Sequence, residues 1–439
     1  METIDTLIKA RWIIPVEPDD TVLEHHALAI RAGRIVALLP SAEADSRYRA
    51  DTVHELPHHA LIPGLVNTHT HAAMSLMRGL ADDLPLMEWL KGHIWPAEGR
   101  WVGAEFVEDG TQLAMAEMLR GGVTCFNDMY FFPEITAHAA ARAGMRAALG
   151  LIVIDFPTAW AANADEYIAK GLALYDDHKD EALLSFCFAP HAPYTVSDEP
   201  LKRIRTLANE LDLPVHMHVH ETAHEVEESM ARFGMRPLER LAQLGLVGPN
   251  LLAVHMTQLE DAEIAHLAEA GAHVLHCPES NLKLASGFCP VQKLLDAGVN
   301  VCLGTDGAAS NNDLDLMGEM RTAALLAKGV AGDAAALPAA AALRMATLNG
   351  ARALGLGEET GSLVPGKAAD VVAVDLGALE SRPVYHPVSH LVYATGRQQV
   401  THVWVAGKAL LKDRRLTTLD LEAIQARAMA WQERLKANA

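Results

Sequence analysis

Between residues 59 and 362 the chain alternates short β-rich runs with longer Ala/Leu-rich segments of helical period. VTCFND, AALGLIVI, LLSFCFAPHAP, PVHMHVHE, NLLAVHM, HVLHCP and VNVCLGTD are the strand-like runs. AEFVEDGTQLAMAEMLRGG and EPLKRIRTLANELDL typify the segments between them. Strand-then-helix units repeated in this way imply a parallel sheet, because each helical crossover brings the chain back in the same direction. Enough such units close on themselves. The expected fold class is α/β, a (β/α)8 TIM-type barrel.

The flanks differ in texture. TLIKARWIIP and ALAIRAGRIVALLP read as strands, with a hairpin turn at Ala32-Gly33. GSLVPGKAADVVAVDL and THVWVAGKALLKD repeat that pattern near the other end, with a turn around Ala406-Gly407, before a closing amphipathic helix LEAIQARAMAWQERLKA. Chain ends often lie close together. Residues 1–58 and 363–439 are therefore expected to form one small, discontinuous β-sandwich domain beside a catalytic barrel of residues 59–362.

With 439 residues, half of them hydrophobic, the chain can bury a large core. Its formal net charge of −20 argues against nucleic acid or an anionic membrane as a partner, since both would repel it. The five cysteines are scattered and form no C-x-x-C pair, the usage of a reducing compartment. No signal-peptide core opens the chain, and no apolar run approaches the about 20 residues that span a bilayer. A soluble, cytoplasmic protein is expected.

LIPGLVNTHTHAAMSLMRG places His69 and His71 one residue apart in an apolar setting. Alternate residues of a strand face the same side, so the pair can aim two imidazoles at one metal ion. Other polar residues fall at later strand ends, where barrel enzymes carry their chemistry: His216, His218 and His220 with Glu221, then His255, then Asp306. Each has a plainer reading taken singly. His255 could be a satisfied polar residue, Asp306 beside Gly307 a turn former, and His216 and His220 packing or capping groups. Their joint placement favours a site.

His69, His71, His218 and Asp306 could supply three imidazoles and a carboxylate to one divalent ion, zinc being the expected metal. No lysine stands at the strand ends to bridge a second ion. Glu221, three residues beyond His218, would act as general acid/base on water whose pKa the metal lowers.

PGLVNTHTH, HVHETAHE, LLAVHM and LGTDGAASNN resemble the signatures of the amidohydrolase superfamily, and the likeness extends over essentially the whole chain. Within it the sequence most resembles the mononuclear-zinc deaminases of 5'-methylthioadenosine and S-adenosylhomocysteine. That resemblance implies a hydrolytic deaminase converting the adenine amino group of such a nucleoside, or of adenosine, to the inosine analogue and ammonia. It makes His69, His71, His218 and Asp306 the metal ligands, with His218 also facing the substrate and Asp306 also catalytic, since it or Glu221 takes the proton of the attacking water. Glu221 becomes the proton shuttle and His255 the group that orients the water. DDLPLMEWLKGHIWPAE resembles the family's substrate lid, placing Trp89 on the nucleoside and Glu98 on the ribose hydroxyls. His191 and Ser310 would contact substrate, and Arg146 would meet the substrate tail in its own or a neighbouring subunit. The lid resemblance also implies a homo-oligomer. A neighbouring branch of the superfamily acts on s-triazines, guanine and related heterocycles, which is the alternative reading; a non-catalytic barrel scaffold is a third.

Overall fold

The computed structural model describes residues 1–436. The small sheet takes its first strands from the N-terminal end: β1 (Glu2–Ile13), β2 (Leu23–Arg31), β3 (Arg34–Pro40) and β4 (Tyr48–Pro63). Eight further strands form the barrel: β5 (Leu65–Thr70), β6 (Val123–Asp128), β7 (Arg146–Val153), β8 (Leu184–Pro190), β9 (Val215–Val219), β10 (Leu251–His255), β11 (His273–His276) and β12 (Asn300–Leu303). The chain then returns to the small sheet with β13 (Val371–Asp375), β14 (Val400–Val405), β15 (Lys408–Lys412) and β16 (Arg415–Leu416).

The barrel strands are parallel and lie in sequence order. β12 meets β5 largely through side chains. Asn67 and Thr305 exchange two hydrogen bonds (2.8 and 3.0 Å), Thr68 Oγ1 donates to the Leu303 carbonyl, and the Asp306 N–H donates to His69 O at 3.0 Å. That seam fixes the height of Asp306 against His69. The expected (β/α)8 barrel is present.

The small sheet runs in the order β16-β15-β14-β13-β4-β1-β2-β3, so strands from both chain ends share one sheet. The tips of its two predicted hairpins touch: a Cβ on Gly33 would come within 2.7 Å of the Ala406 carbonyl. Gly33 and Gly407, at φ of 77° and 76°, are both in the left-handed region that glycine enters freely. Between these contacts the sheet folds about its own core, which includes Ile8, Leu28, Leu61, Val371 and Trp404.

Two details differ from the expected division. β4 carries the sheet on to Pro63. The last helix, Leu421–Lys436, packs on the barrel helix Ala104–Arg120, where Trp431 lies edge-on to Phe106 (centroids 5.2 Å) and its indole N–H donates to Asp109 at 2.9 Å. Its apolar stripe was visible in the sequence, but the surface it covers was not. All five cysteines are buried and free. Among the described residues no helix is long and apolar enough to cross a membrane.

Candidate metal centre and active site

At the C-terminal end of the barrel, ligand atoms of His69, His71, His218 and Asp306 all lie within 4.8 Å of one another. His69 Nε2 stands 3.2 Å from His218 Nε2, and Asp306 Oδ1 lies 3.3 Å from both His69 Nε2 and His71 Nε2. Four ligands at zinc bond lengths in a tetrahedron would be about 3.3 Å apart along their edges. The donor set therefore fits a single small divalent ion.

The other ring nitrogen of each histidine is engaged, which leaves Nε2 facing inward. His71 Nδ1 is 2.6 Å from the Met129 carbonyl, His218 Nδ1 is 2.8 Å from the His191 carbonyl, and His69 Nδ1 is 2.9 Å from His216 Nε2. Asp306 is held as firmly. Ser280 and Ser310 donate to its Oδ2 (2.6 and 2.9 Å), and the Gly307 N–H donates to Oδ1 at 2.7 Å.

Charge at the cluster follows from burial and contact. Burial pulls His69 down to about 4, against its hydrogen bond to Asp306. At His71 burial also pulls down, but the hydrogen bond and charge of Asp306 outweigh it and lift the imidazole to about 9. Asp306 stays well below the usual carboxylate range because those two imidazoles overcome its burial. The pocket is built for positive charge at its centre.

Glu221 is buried beside the cluster, its Oε2 3.8 Å from His255 Nε2, and burial raises its carboxyl above the ordinary range. A carboxyl so raised can hold and release a proton nearer neutrality. His255 is oriented from behind, with Nδ1 2.8 Å from Asn281 Oδ1. His220, His255 and Asp306 all leave their strands through left-handed backbone (φ 54°, 74° and 64°). Such residues cost about 1–3 kcal/mol each and cluster where function needs them.

A cavity of about 1080 Å³, counting its open mouth, lies over the cluster. This suits a small-molecule ligand. One wall is the lid: helix Leu86–Trp89, a wide π turn at Leu90–Ile94, and helix Trp95–Trp101. Trp89 faces the cavity while its indole N–H donates to the Ala81 carbonyl at 3.1 Å. Glu98 reaches in from the last helix and accepts the Tyr130 hydroxyl at 2.9 Å; burial lifts its carboxyl to about 7. His191 lines the same space, 4.8 Å from the His218 ring, with burial pushing it down to about 3. Ser310 lines it too.

Arg146 is the exception, and its expected place near the substrate tail is corrected. It is the first residue of β7, about 23 Å along the strand from the rim. There it is buried against Asp370 of the small sheet's segment, Nε to Oδ2 at 3.0 Å. Sequence reading named His216 without giving it a role at the metal, and passed over Ser280, Asn281 and Glu225, whose carboxylate accepts the N–H groups of His220 (3.0 Å) and Glu221 (2.7 Å). The two-residue period of PVHMHVHE held a signal for His216, since it shares a strand face with His218.

The amidohydrolase family model matches residues 60–410. A Saccharophagus degradans protein named 5-methylthioadenosine/S-adenosylhomocysteine deaminase is 56% identical, covering 99% of this chain and 97% of its own. One of the same name from Teredinibacter turnerae is 54% identical, covering 99% and 98%. Among solved structures, an adenosine deaminase of Xanthomonas campestris with bound zinc superposes with a TM-score of 0.98 at 56% identity, over 99% of each chain. A triazine hydrolase variant superposes with a TM-score of 0.91 at 25% identity, over 97% of this chain and 99% of its own.

Proposed function

The chain belongs to the amidohydrolase family, among the 5'-methylthioadenosine/S-adenosylhomocysteine deaminases, and from that premise we propose that its site hydrolyses the adenine C6–amino bond of a 5'-thio-substituted nucleoside. The convergence of His69, His71, His218 and Asp306, with Glu221 beside them and Glu98 across the cavity, is the observation that carries the reading.

His69, His71, His218 and Asp306 would hold one divalent metal, zinc, which when bound lowers the pKa of water towards neutrality. Glu221 takes a proton from the attacking water and delivers one to the ring nitrogen beside C6. Attack and protonation together break the aromatic system at the carbon that carries the amino group. His255, fixed by Asn281, orients the water and stabilises the oxyanion that develops. Asp306 or Glu221 takes the second proton from the oxygen now on C6 and passes it to the amine; the C6–N bond breaks, and ammonia leaves with the inosine analogue behind. Glu98 accepts the ribose hydroxyls, Trp89 closes over the nucleoside, and His191 and Ser310 complete the wall.

The same reading puts the enzyme in the cytoplasm as a homo-oligomer. Five free, buried thiols fit a reducing compartment, and gel filtration tests the assembly. The activity itself is tested by loading the protein with zinc and following the adenine absorbance. Conversion of 5'-methylthioadenosine to its inosine analogue is expected. No turnover of this substrate, S-adenosylhomocysteine or adenosine would remove the proposal.

A further inference from the structure

The cavity over the ligand cluster carries three acids, Glu98, Glu221 and Asp306. Among the described residues neither lysine nor arginine lines it. The rest of its wall is mostly apolar; the lid contributes Leu86, Leu90 and Trp95, and the segment after β7 contributes Ile154 and Phe156. The rings of Trp95 and Phe156 meet, with centroids 6.0 Å apart and planes at 60°.

Beyond that aromatic pair lies an outer groove, which Trp95, Phe156 and Tyr194 also border. It does hold cations. Arg240 is committed to Asp198 at 2.6 Å, while Lys91 and Arg232 share the groove with Asp155, Glu199 and Glu228. The groove is thus mixed in charge and separated from the inner cavity by two rings in contact.

We propose that the inner cavity selects 5'-substituents without charge, so that 5'-methylthioadenosine is the preferred substrate and S-adenosylhomocysteine is a poor one. The inference rests on the deaminase reading above. A methylthio group matches an apolar wall. The homocysteine tail instead brings a carboxylate and an ammonium on one carbon, and neither can enter without the other. Away from the metal ligands its carboxylate would meet Glu98 and Glu221 and no lysine or arginine, and an unpaired charge in a water-poor site is strongly disfavoured.

Charge and size are separated with three substrates on the zinc-loaded enzyme: 5'-methylthioadenosine, 5'-butylthio-5'-deoxyadenosine and S-adenosylhomocysteine. The butylthio compound copies the length of the homocysteine tail without its charges. Its kcat/KM is expected to stay within about tenfold of methylthioadenosine, and S-adenosylhomocysteine to fall about 100-fold below it. A difference of less than tenfold between these two long-tailed substrates overturns the inference. So does efficient S-adenosylhomocysteine turnover that is lost on Lys91→Ala or Arg232→Ala, which would assign the tail to the outer groove. No turnover of any of the three removes the deaminase reading and this inference with it; comparable turnover of all three removes the inference alone.

Discussion

Nε2 of His216 stands 2.9 Å from Nδ1 of His69, on the side of that ring turned away from the ligand cluster. Both residues are fully buried, and Asn127 approaches the far nitrogen of His216 at 3.2 Å. Such a partner fixes the orientation of a ligating imidazole. His216→Ala is expected to weaken zinc binding by about 10–100-fold, read by competition against a chelator of known affinity. Unchanged affinity would show that the barrel wall alone positions His69.

Glu225 lies one step behind Glu221, the proposed proton shuttle. Its carboxylate holds the backbone N–H groups of His220 and Glu221, while Thr257 Oγ1 donates to the Glu221 carbonyl at 2.7 Å. These contacts clamp a left-handed turn from which the Glu221 side chain enters the site. Glu225→Gln turns an amide NH2 towards one of the two donors and loosens the clamp. A kcat lower by about 10–100-fold is expected, with KM within about threefold and bound zinc unchanged. A proportional loss of zinc would point to general unfolding of the rim instead.

These two residues illustrate what the sequence can and cannot carry. The ligands were legible because a His-x-His pair and strand-end polar residues obey fixed geometric periods, and a parallel barrel sends every strand end to one rim. Depth along a strand was not legible. PVHMHVHE offers three histidines on one face, and only the folded barrel shows that His216 lies behind His69 while His218 faces the cluster. Arg146 failed for the related reason that a strand's two ends look alike in sequence. Ser280 and Asn281 sit after β11 in HCPESNLK, which reads as a helix start; their contacts with Asp306 and His255 join elements 26 residues apart. The closing helix showed its apolar stripe but not Phe106, the partner that lies far away in sequence.

With the ribose contact proposed above, Glu98 would link substrate recognition to pH. Burial lifts its carboxyl from the usual 4.5 to about 7, with the Tyr130 hydroxyl and the charge of His71 opposing the rise. Only the ionised carboxylate accepts two ribose hydroxyls without competing as a donor. Activity on the nucleoside, as kcat/KM, is therefore expected to fall as pH drops through about 7. Glu98→Gln should cost about 100-fold or more and remove that acidic limb. A base-only substrate, the heterocycle alternative, would leave the rate of the variant unchanged. Stability moves the other way. The folded chain binds the Glu98 proton more tightly than the unfolded chain, so ionisation costs stability that is intact below about 4.5 and lost as pH rises through about 7. The Gln variant is expected to melt higher than the parent at pH 8, with the gap closing towards pH 5, by calorimetry.

Arg146 and Asp370 make a buried pair between β7 and the residue preceding β13, with side-chain exposures of 3% and 0%. Asp370 also accepts the Thr360 hydroxyl at 2.9 Å and the Ala406 N–H at 2.7 Å, so the pair ties the barrel floor to the hairpin tips of the small sheet. Removing one partner strands the other charge. Arg146→Met is expected to destabilise the fold by about 3–5 kcal/mol in chemical denaturation. Because the pair lies at the far end of the barrel from the ligand cluster, kcat and KM per zinc-loaded, folded molecule should match the parent. Arg146→Met,Asp370→Leu should recover much of the lost stability, since it leaves no unpaired charge. A rise in KM of tenfold or more in the single variant, with its melting curve unmoved, would return Arg146 to the substrate and overturn the placement.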